Sequence, residues 1–273
     1  KGCQVIFLTS DGFGSNVEDV IKAYPQIVFY TISPEAEESN ATTYYGRLYQ
    51  ARYLAGMAAG MMTRNNVLGF VAAMDNAQVA RDVNAFMLGA RSVNPDVKLV
   101  VRFTGSWFNT AAEHKAAMKL IEKDHADLLA YHTSTSETVG VADEKGVYSI
   151  GYNMMEKSYS QLYLGAVVFH WEILYRSILQ DFARGSVRGT GYYWWGVSEG
   201  AVSWEKESDL LGDDIIQRIE EERKGFDEGN DVFMGEIRRN DGRVMCRKKE
   251  RMSDDALLRN MNWFVEGVEI EED

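Results

Sequence analysis

An α/β architecture, with parallel sheets flanked by helices, follows from three features of the sequence. Short apolar runs rich in Val, Ile, Leu and Phe recur along the first two-thirds of the 273 residues. The runs are continuous rather than alternating, which marks strands buried on both faces. Helically patterned segments separate them, and strand, helix, strand in repetition means βαβ crossovers.

The predicted strands are Val5–Thr9, Val28–Ile32, Val67–Ala73, Val97–Phe103, Asp127–Tyr131 and Val147–Gly151. Between them the pattern predicts helices at Asn16–Ala23, Tyr44–Met62, Ala77–Val93, Thr110–Lys123 and Ser134–Lys145. Tyr24-Pro25 and Asn94-Pro95-Asp96 punctuate two of the joins, because the residue before proline is pushed out of helical geometry. The helix at 44–62 carries Ala51, Ala55, Gly56, Ala59 and Gly60, read as close packing against the sheet. Arg47, Arg52 and Arg64 flank too short an apolar run for a membrane-pairing role of Gly56 and Gly60.

The last third reads differently. A long helix is expected at about Gln161–Ala183, then a turn-rich link at 185–191, an aromatic run from Tyr192 to Trp195, and a short run at Ala201–Trp204. Asp209–Lys224 reads as a charged helix. Residues 235–246 read as a hairpin turning at Asn240-Asp241-Gly242. Ser253 is placed as the N-cap of a terminal helix reaching Val265, with Asp254 and Asp255 in its first turn. This tail is expected to brace the earlier part rather than build another sheet.

Composition narrows the function classes. Hydrophobic content of 45% and charged content of 26% are ordinary for a globular protein. A net charge of −12 repels phosphate backbones and anionic lipid, which argues against nucleic-acid or membrane-surface binding. Cys3 and Cys246 lie far apart, without metal-type spacing, so neither a zinc cluster nor a disulfide framework is supported. No apolar run approaches a membrane span, and no leader segment is visible. The first strand begins almost at once, so further residues are expected to precede Lys1. Charge runs at Glu35–Glu38 and Glu220–Lys224, and the basic cluster at Arg238–Arg251, read as solvated faces.

Enzyme motifs are scarce. There is no G-x-S-x-G, no phosphate-binding Walker loop and no H-E-x-x-H, and Asp11-Gly12-Phe13-Gly14 lacks dinucleotide-loop spacing. No metal or cofactor is expected. His114 and His125 read as solvated, and His170 as a buried or boundary residue on an apolar helix. His132 ends a buried strand, where open α/β sheets bind ligands, so ligand contact is favoured over a purely structural role.

The same rule gathers the other candidates. The first strand ends in Ser10, Asp11 and Phe13. Later strand ends carry Asp75, then Trp107 and Phe108, then His132 and Thr133, then Tyr152 and Asn153. Helix N-caps account for residues such as Ser10, Thr110 and Ser134. They do not account for Phe13, Trp107 or Tyr152. Aromatic faces beside hydroxyl and amide groups suit a flat polar heterocycle with a sugar-like appendage.

The chain also resembles a known family. Tyr44-Tyr45-Gly46-Arg47-Leu48-Tyr49-Gln50-Ala51-Arg52-Tyr53-Leu54-Ala55-Gly56 is similar to a helix of the basic membrane protein family of solute-binding lipoproteins. These serve ABC importers and include purine-nucleoside receptors. Asn84–Ala90, Asn94-Pro95-Asp96-Val97, Gly105-Ser106-Trp107-Phe108, Ala126–Leu129, Lys145-Gly146-Val147, Trp195-Gly196 with Glu199-Gly200, and Met261–Gly267 continue the likeness in order. The resemblance implies a two-lobed type I periplasmic-binding-protein fold with its N-terminal βα unit missing from this chain. It implies a first lobe of residues 1–65 plus parts of 160–273, and a second of 66–158 plus parts of 200–235. Crossings are expected near 65, 158 and 195–205, with ligand in the cleft.

It also implies a non-catalytic, monomeric protein that delivers a purine base or nucleoside to a membrane permease. Its place would be extracytoplasmic, with any lipid anchor outside this chain. Ser10-Asp11-Gly12-Phe13 matches a cleft loop, Tyr131-His132-Thr133 a base-binding strand end, and Trp195 joins the ligand set. Gly151-Tyr152-Asn153 stands where the family often has Gly-Val-Asp gripping ribose, and the lysine often found on the family's following segment has no match near Gly165–His170. Two other readings remain open. One is a ligand-sensing domain of a regulator or receptor with the same fold. The other is a nucleoside-processing enzyme using Asp11, Asp75 and His132.

Overall fold

The computed structural model describes residues 2–10, 13, 15–33, 38–153, 155, 160–186, 192–207 and 209–271. The chain opens with β1 (Val5–Leu8), α1 (Glu18–Ala23), β2 (Val28–Thr31) and β3 (Ala41–Gly46). It continues through α2 (Leu48–Met62), β4 (Val67–Ala72), α3 (Ala77–Val93), β5 (Lys98–Phe103) and α4 (Thr110–Glu122). Next come β6 (Leu128–His132), α5 (Glu137–Lys145), β7 (Tyr148–Asn153), β8 (Tyr163–Phe169), α6 (Trp171–Ala183) and β9 (Tyr192–Trp195). The last part holds β10 (Val202–Lys206), α7 (Asp213–Asp227), β11 (Ile237–Arg238), β12 (Val244–Cys246), α8 (Asp254–Arg259) and β13 (Val268–Ile270). The chain divides into two compact units, Lys1–Arg47 with His170–Val202, and Leu48–Phe169 with Ser203–Asp273. The divisions therefore fall at 47/48, 169/170 and 202/203, where the resemblance had implied crossings near 65, 158 and 195–205. Residues 48–65 and the whole tail beyond 203 group with the second unit.

The first unit is a parallel sheet in the order β1-β2-β3-β9. Alternation sends Ile6, Leu8, Phe29 and Ala41 to one face, where they pack with Ile21 of α1. Val5, Phe7, Tyr30, Tyr44 and Tyr193 go to the other, against Tyr175 and Ile178 of α6. That second face is aromatic: Phe7 stacks on Tyr30 at 5.3 Å and meets Tyr175 edge-on at 4.9 Å.

The second unit carries a seven-stranded sheet in the order β10-β8-β7-β6-β4-β5-β13. Its core is largely aliphatic, built around Val71, Val100, Leu120, Leu129, Val139 and Ala166. Local chemistry sets the helix ends. The Asn76 side chain accepts from Val79 N at 3.0 Å to start α3, and Asn109 accepts from Ala112 N at 3.1 Å to start α4. Gly146 at φ +67° stops α5 in a left-handed turn.

Four expectations change. The run at 44–62 is not one helix: Ala41–Gly46 is a fully buried strand, and the helix begins at Leu48. Its Thr-Thr-Tyr-Tyr stretch favours a pleated surface. The run at 161–183 splits likewise into β8, all seven residues buried, and α6. A continuous apolar run of that length has no period to separate strand from helix. His170 is consequently the N-cap position of α6 and not a mid-helix residue. The terminal helix stops at Arg259, and β13 then pairs in parallel with β5, so the tail extends the second sheet. Finally, Gly56 and Gly60 face α3 rather than the sheet: a Cβ on either would meet the backbone of Phe86 or Ala90.

The tail is fastened by polar contacts too. The buried Asp231 carboxylate accepts from Tyr49 Oη at 2.9 Å, Gln50 Nε2 at 3.2 Å and Arg251 Nη2 at 2.8 Å. Cys3 and Cys246 are both free thiols. Among the described residues no helix is long and apolar enough to cross a membrane, and no three His, Cys, Asp or Glu groups are set to hold a metal.

Candidate functional site

Parallel strands β6 and β7 deliver their C-terminal ends side by side. Beyond them lies a cavity of about 250 Å³ lined by Tyr131, Thr133, Ser134, Thr135, Ser136, Tyr152 and Asn153. No lysine, arginine or carboxylate is among these lining residues. The described part of the wall consists of hydroxyls, one amide and two phenols.

A loop of four consecutive Ser and Thr residues needs outside support to hold one shape. Ser134 N donates to Trp107 O at 2.7 Å, tying this loop to the one after β5. Thr133 Oγ1 donates to Thr135 O at 3.2 Å. Glu113, fully buried on α4, accepts from Thr138 N at 3.1 Å, Thr138 Oγ1 at 3.0 Å and Thr135 Oγ1. The carboxylate thereby caps the N-terminus of α5 from a different helix, which the helix dipole favours. On the opposite wall Asn153 ends β7 at φ +73°, a left-handed conformation that asparagine tolerates better than most residues.

Behind the rings lies a layer of buried charge. Arg52 of α2 is fully buried; its Nη2 donates to Tyr131 O at 2.6 Å, and its Nε lies 3.4 Å from Asp82 Oδ2. The guanidinium carbon sits 5.0 Å from the Tyr152 ring centre and 5.3 Å from that of Phe70, both cation–π distances. Burial pushes Asp82 up from the usual carboxylate range, against the opposing pull of Arg52 and Arg81. Burial, with Arg52 and Arg81 adding to it, pushes His132 well below the ordinary imidazole value. His132 is therefore neutral at pH 7, and its Nδ1, 3.3 Å from Asp82 Oδ2, makes a contact with a charge and not an ion pair.

The predicted site residues sort by this geometry. Thr133, Tyr152 and Asn153 line the cavity. His132 is fully buried behind it, touching Tyr152 at 4.3 Å and Trp107 at 5.5 Å between ring centres. Trp107 is half-buried, and its neighbour Phe108 is 72% exposed. Asp75 is exposed at the end of β4 and is not among the lining residues. In the first unit Ser10 is exposed, its carbonyl accepts from Phe13 N at 3.1 Å, and Phe13 is 43% exposed. Asp11 lies outside the described residues. Trp195 is half-buried and packs into the aromatic core, 5.7 Å from Tyr193.

Tyr131 entered only with the matched segment Tyr131-His132-Thr133, and the sequence did not single out Ser134, Thr135 or Ser136 as lining, nor Arg52, Asp82 or Glu113 behind it. A signal existed for the last three. Each interrupts an apolar helical stripe: Leu48-Ala51-Arg52-Ala55, Val79-Asp82-Val83-Phe86, and Glu113-Ala116-Ala117-Leu120. A charge at such a position is buried, and a buried charge must have a partner.

Residues 1–229 match the family described as Bmp, ABC transporter substrate-binding protein PnrA-like. The chain belongs to the Bmp family. A purine-binding protein of Brucella abortus (strain 2308) is 30% identical over 270 residues, covering 98% of this Bmp chain and 76% of that protein. A putative ABC transporter glucose-binding protein of Haloferax volcanii is 32% identical over 267 residues, covering 97% of this chain and 65% of that protein. The chain thus spans about two-thirds to three-quarters of the length of these relatives. Among solved structures, a solute-binding protein of an ABC transporter system from Aeropyrum pernix K1 matches with a TM-score of 0.71 at 17% identity, over 83% of this chain and 75% of that one. A transcriptional activator of the comK gene from Bacillus halodurans matches with a TM-score of 0.72 at 22% identity, over 82% and 78%. Both likenesses show that the Bmp chain has the α/β fold of the periplasmic solute-binding proteins.

Proposed function

We propose that this Bmp protein binds a purine base or nucleoside at the cavity beyond β6 and β7, and hands it to the membrane permease of an ABC importer outside the cytoplasm. The observation that carries this reading is the cavity wall itself. Tyr131 and Tyr152 supply aromatic surface, while Thr133, Ser134, Thr135, Ser136 and Asn153 supply hydrogen-bonding groups around it. A flat, neutral heterocycle with many polar edges satisfies such a wall. The likeness to a purine-binding relative over 98% of the chain supports the same ligand class. Trp107 and Phe108 belong to the loop tied to Ser134, which supports reading them as further aromatic contacts. His132, neutral and fully buried, acts in this reading as a positioning residue behind Tyr152. Ser10, Asp11, Phe13, Asp75 and Trp195 are retained as proposed contacts on the family resemblance alone. The protein works by binding, with no bond made or broken.

Thermal unfolding with adenine, adenosine, guanosine and inosine tests the reading. A ligand at a hundred times its dissociation constant stabilises the native state by about 2.7 kcal/mol, a shift of several degrees. Absence of any shift across the purines, with a shift from glucose, overturns it in favour of a sugar. The hydroxyl-rich wall and the likeness to a relative named as glucose-binding make glucose the necessary comparison. Sensing rather than transport is the second reading, favoured by a 25% identical transcriptional activator, Med of Bacillus subtilis, that covers 76% of this chain.

A further inference from the structure

We infer that Glu113, through Thr135, sets the hydrogen-bond polarity of the Thr133–Thr135 side of the cavity wall, so that this side takes N–H and O–H donors and selects against phosphorylated ligands. The inference rests on the reading that this cavity is the ligand site. It goes beyond that reading by assigning the ligand's chemistry at the wall to one residue outside it.

An ionised glutamate only accepts hydrogen bonds, and a threonine hydroxyl has one proton to give and two lone pairs. Thr135 Oγ1 gives its proton to Glu113. Thr133 Oγ1 gives its proton to Thr135 O. Both hydroxyls line the cavity, and both have turned their only proton away from it. What they present to a ligand is lone pairs. An amino group, a ring N–H or a sugar hydroxyl can donate to them. A phosphate, which at neutral pH offers mainly acceptor oxygens, cannot.

Charge acts in the same direction. The N-terminus of a helix is a ready anion site, and the N-terminus of α5 adjoins the cavity. Here Glu113 already occupies it: Thr138 N, a donor a phosphate would need, is bonded to Glu113 Oε1 at 3.1 Å. The carboxylate stands one hydroxyl behind the wall, fully buried, and among the described residues no lysine or arginine lines the cavity to offset it. Arg52 lies behind Tyr152 with Asp82 beside it, and Arg81, the second cation of that layer, donates to Leu257 O at 2.7 Å.

Glu113 is thus a positioning residue acting through Thr135 and Thr138. The test uses paired ligands with the whole chain: adenosine against adenosine 5′-monophosphate, and glucose against glucose 6-phosphate, by calorimetric titration. In the wild type the unphosphorylated member of the binding pair should be favoured by about 100-fold or more, because unmatched buried polar groups discriminate strongly. Glu113→Gln supplies donors, releases the Thr135 proton and removes the negative charge, and should cut that preference by about tenfold or more. Thr135→Val removes one acceptor while Glu113 keeps Thr138, and should weaken the unphosphorylated ligand by about tenfold without moving the phosphorylated one. A wild type that binds the phosphorylated member as well as its parent overturns the inference. So does a folded Glu113→Gln protein with an unchanged preference, or an unchanged affinity in Thr135→Val. Selectivity in the glucose pair with no binding in the adenosine pair sinks the purine reading and leaves this inference standing.

Discussion

The two units build parallel sheets by the same βαβ logic but fill them differently. In the first, the face under α6 is a cluster of rings, with Phe7, Tyr30, Tyr44, Tyr175 and Tyr193 in mutual contact. Its polar atoms are the phenol oxygens at the ring tips. In the second, the middle of the sheet is aliphatic, and buried charge is held in separate answered groups: Arg52, Asp82, His132 and Glu113 behind the cavity, Arg102 with Asp124, and Asp231 with Tyr49, Gln50 and Arg251. Aromatic packing of the first kind fills space without fixing any atom's charge. Buried ions of the second kind are costly unless each is answered, and they hold their neighbours to one geometry. The group that stands behind the cavity stiffens that cavity.

Arg52 offers the sharpest way to break this contrast. Removing one partner of a buried ion pair leaves the other charge uncompensated, at a cost of about 3–5 kcal/mol. Arg52→Met should therefore strand Asp82 and drop the urea midpoint strongly, while keeping most of the side chain's volume. Arg52→Met with Asp82→Leu should recover much of that stability yet weaken ligand binding, because Tyr131 O loses its donor and Tyr152 its cation. Full binding in the stable double variant would mean that the charged layer is packing and nothing more.

Much of this organisation was legible in advance, and the parts that were not share a cause. Strands β1, β2 and β4–β7 follow from continuous apolar runs between turn residues, and α3 falls at Ala77–Val93 as the pattern predicts. β3 and β8 were absorbed into neighbouring helices because Ala41–Gly46 and Tyr163–Phe169 are buried on both faces and carry no alternation. β13 is three residues long and exists only because the edge of β5 is there to pair with, which no local pattern records. The strand-end rule brought Thr133, Tyr152 and Asn153 to one cavity. It overlooked Glu113 because the rule looks along strands, whereas Glu113 reaches the loop from the helix before it.

His132 sharpens the contrast through pH. Its folded pKa is depressed by burial and by Arg52 and Arg81, so the folded protein stays unprotonated where the unfolded chain, with an ordinary value of 6.5, takes up a proton. Proton uptake by the unfolded state means stability is complete above about pH 6.5 and falls as pH drops below it. One proton sets a limit of about 1.36 kcal/mol per pH unit. Comparing wild type with His132→Gln by urea unfolding between pH 7.5 and about 5 isolates this residue from Asp82 and the other carboxylates. The difference in stability should shrink or reverse toward the acid end, and a constant difference would place His132 in a wetter setting than its burial indicates.

The smallest effects separate two tyrosines of the aromatic face. Tyr193 Oη donates to Asp181 Oδ2 at 3.0 Å. Tyr30 Oη is buried with no hydrogen-bond partner among the described residues, and burial raises its pKa. The two rings lie 6.0 Å apart, edge to face, so substitution to phenylalanine leaves nearly the same packing and changes only the hydroxyl. Tyr193→Phe should cost about 1 kcal/mol, the usual worth of a hydrogen bond in a folded protein. Tyr30→Phe should cost nothing or stabilise by about 1 kcal/mol, because an unpaired buried hydroxyl is a penalty. Opposite signs from the same chemical change, read as melting-temperature shifts, would show that this face tolerates polar atoms only where they are bonded. Equal losses would show that the Tyr30 hydroxyl has a partner in solution, and that both units keep their buried polar groups under the same rule.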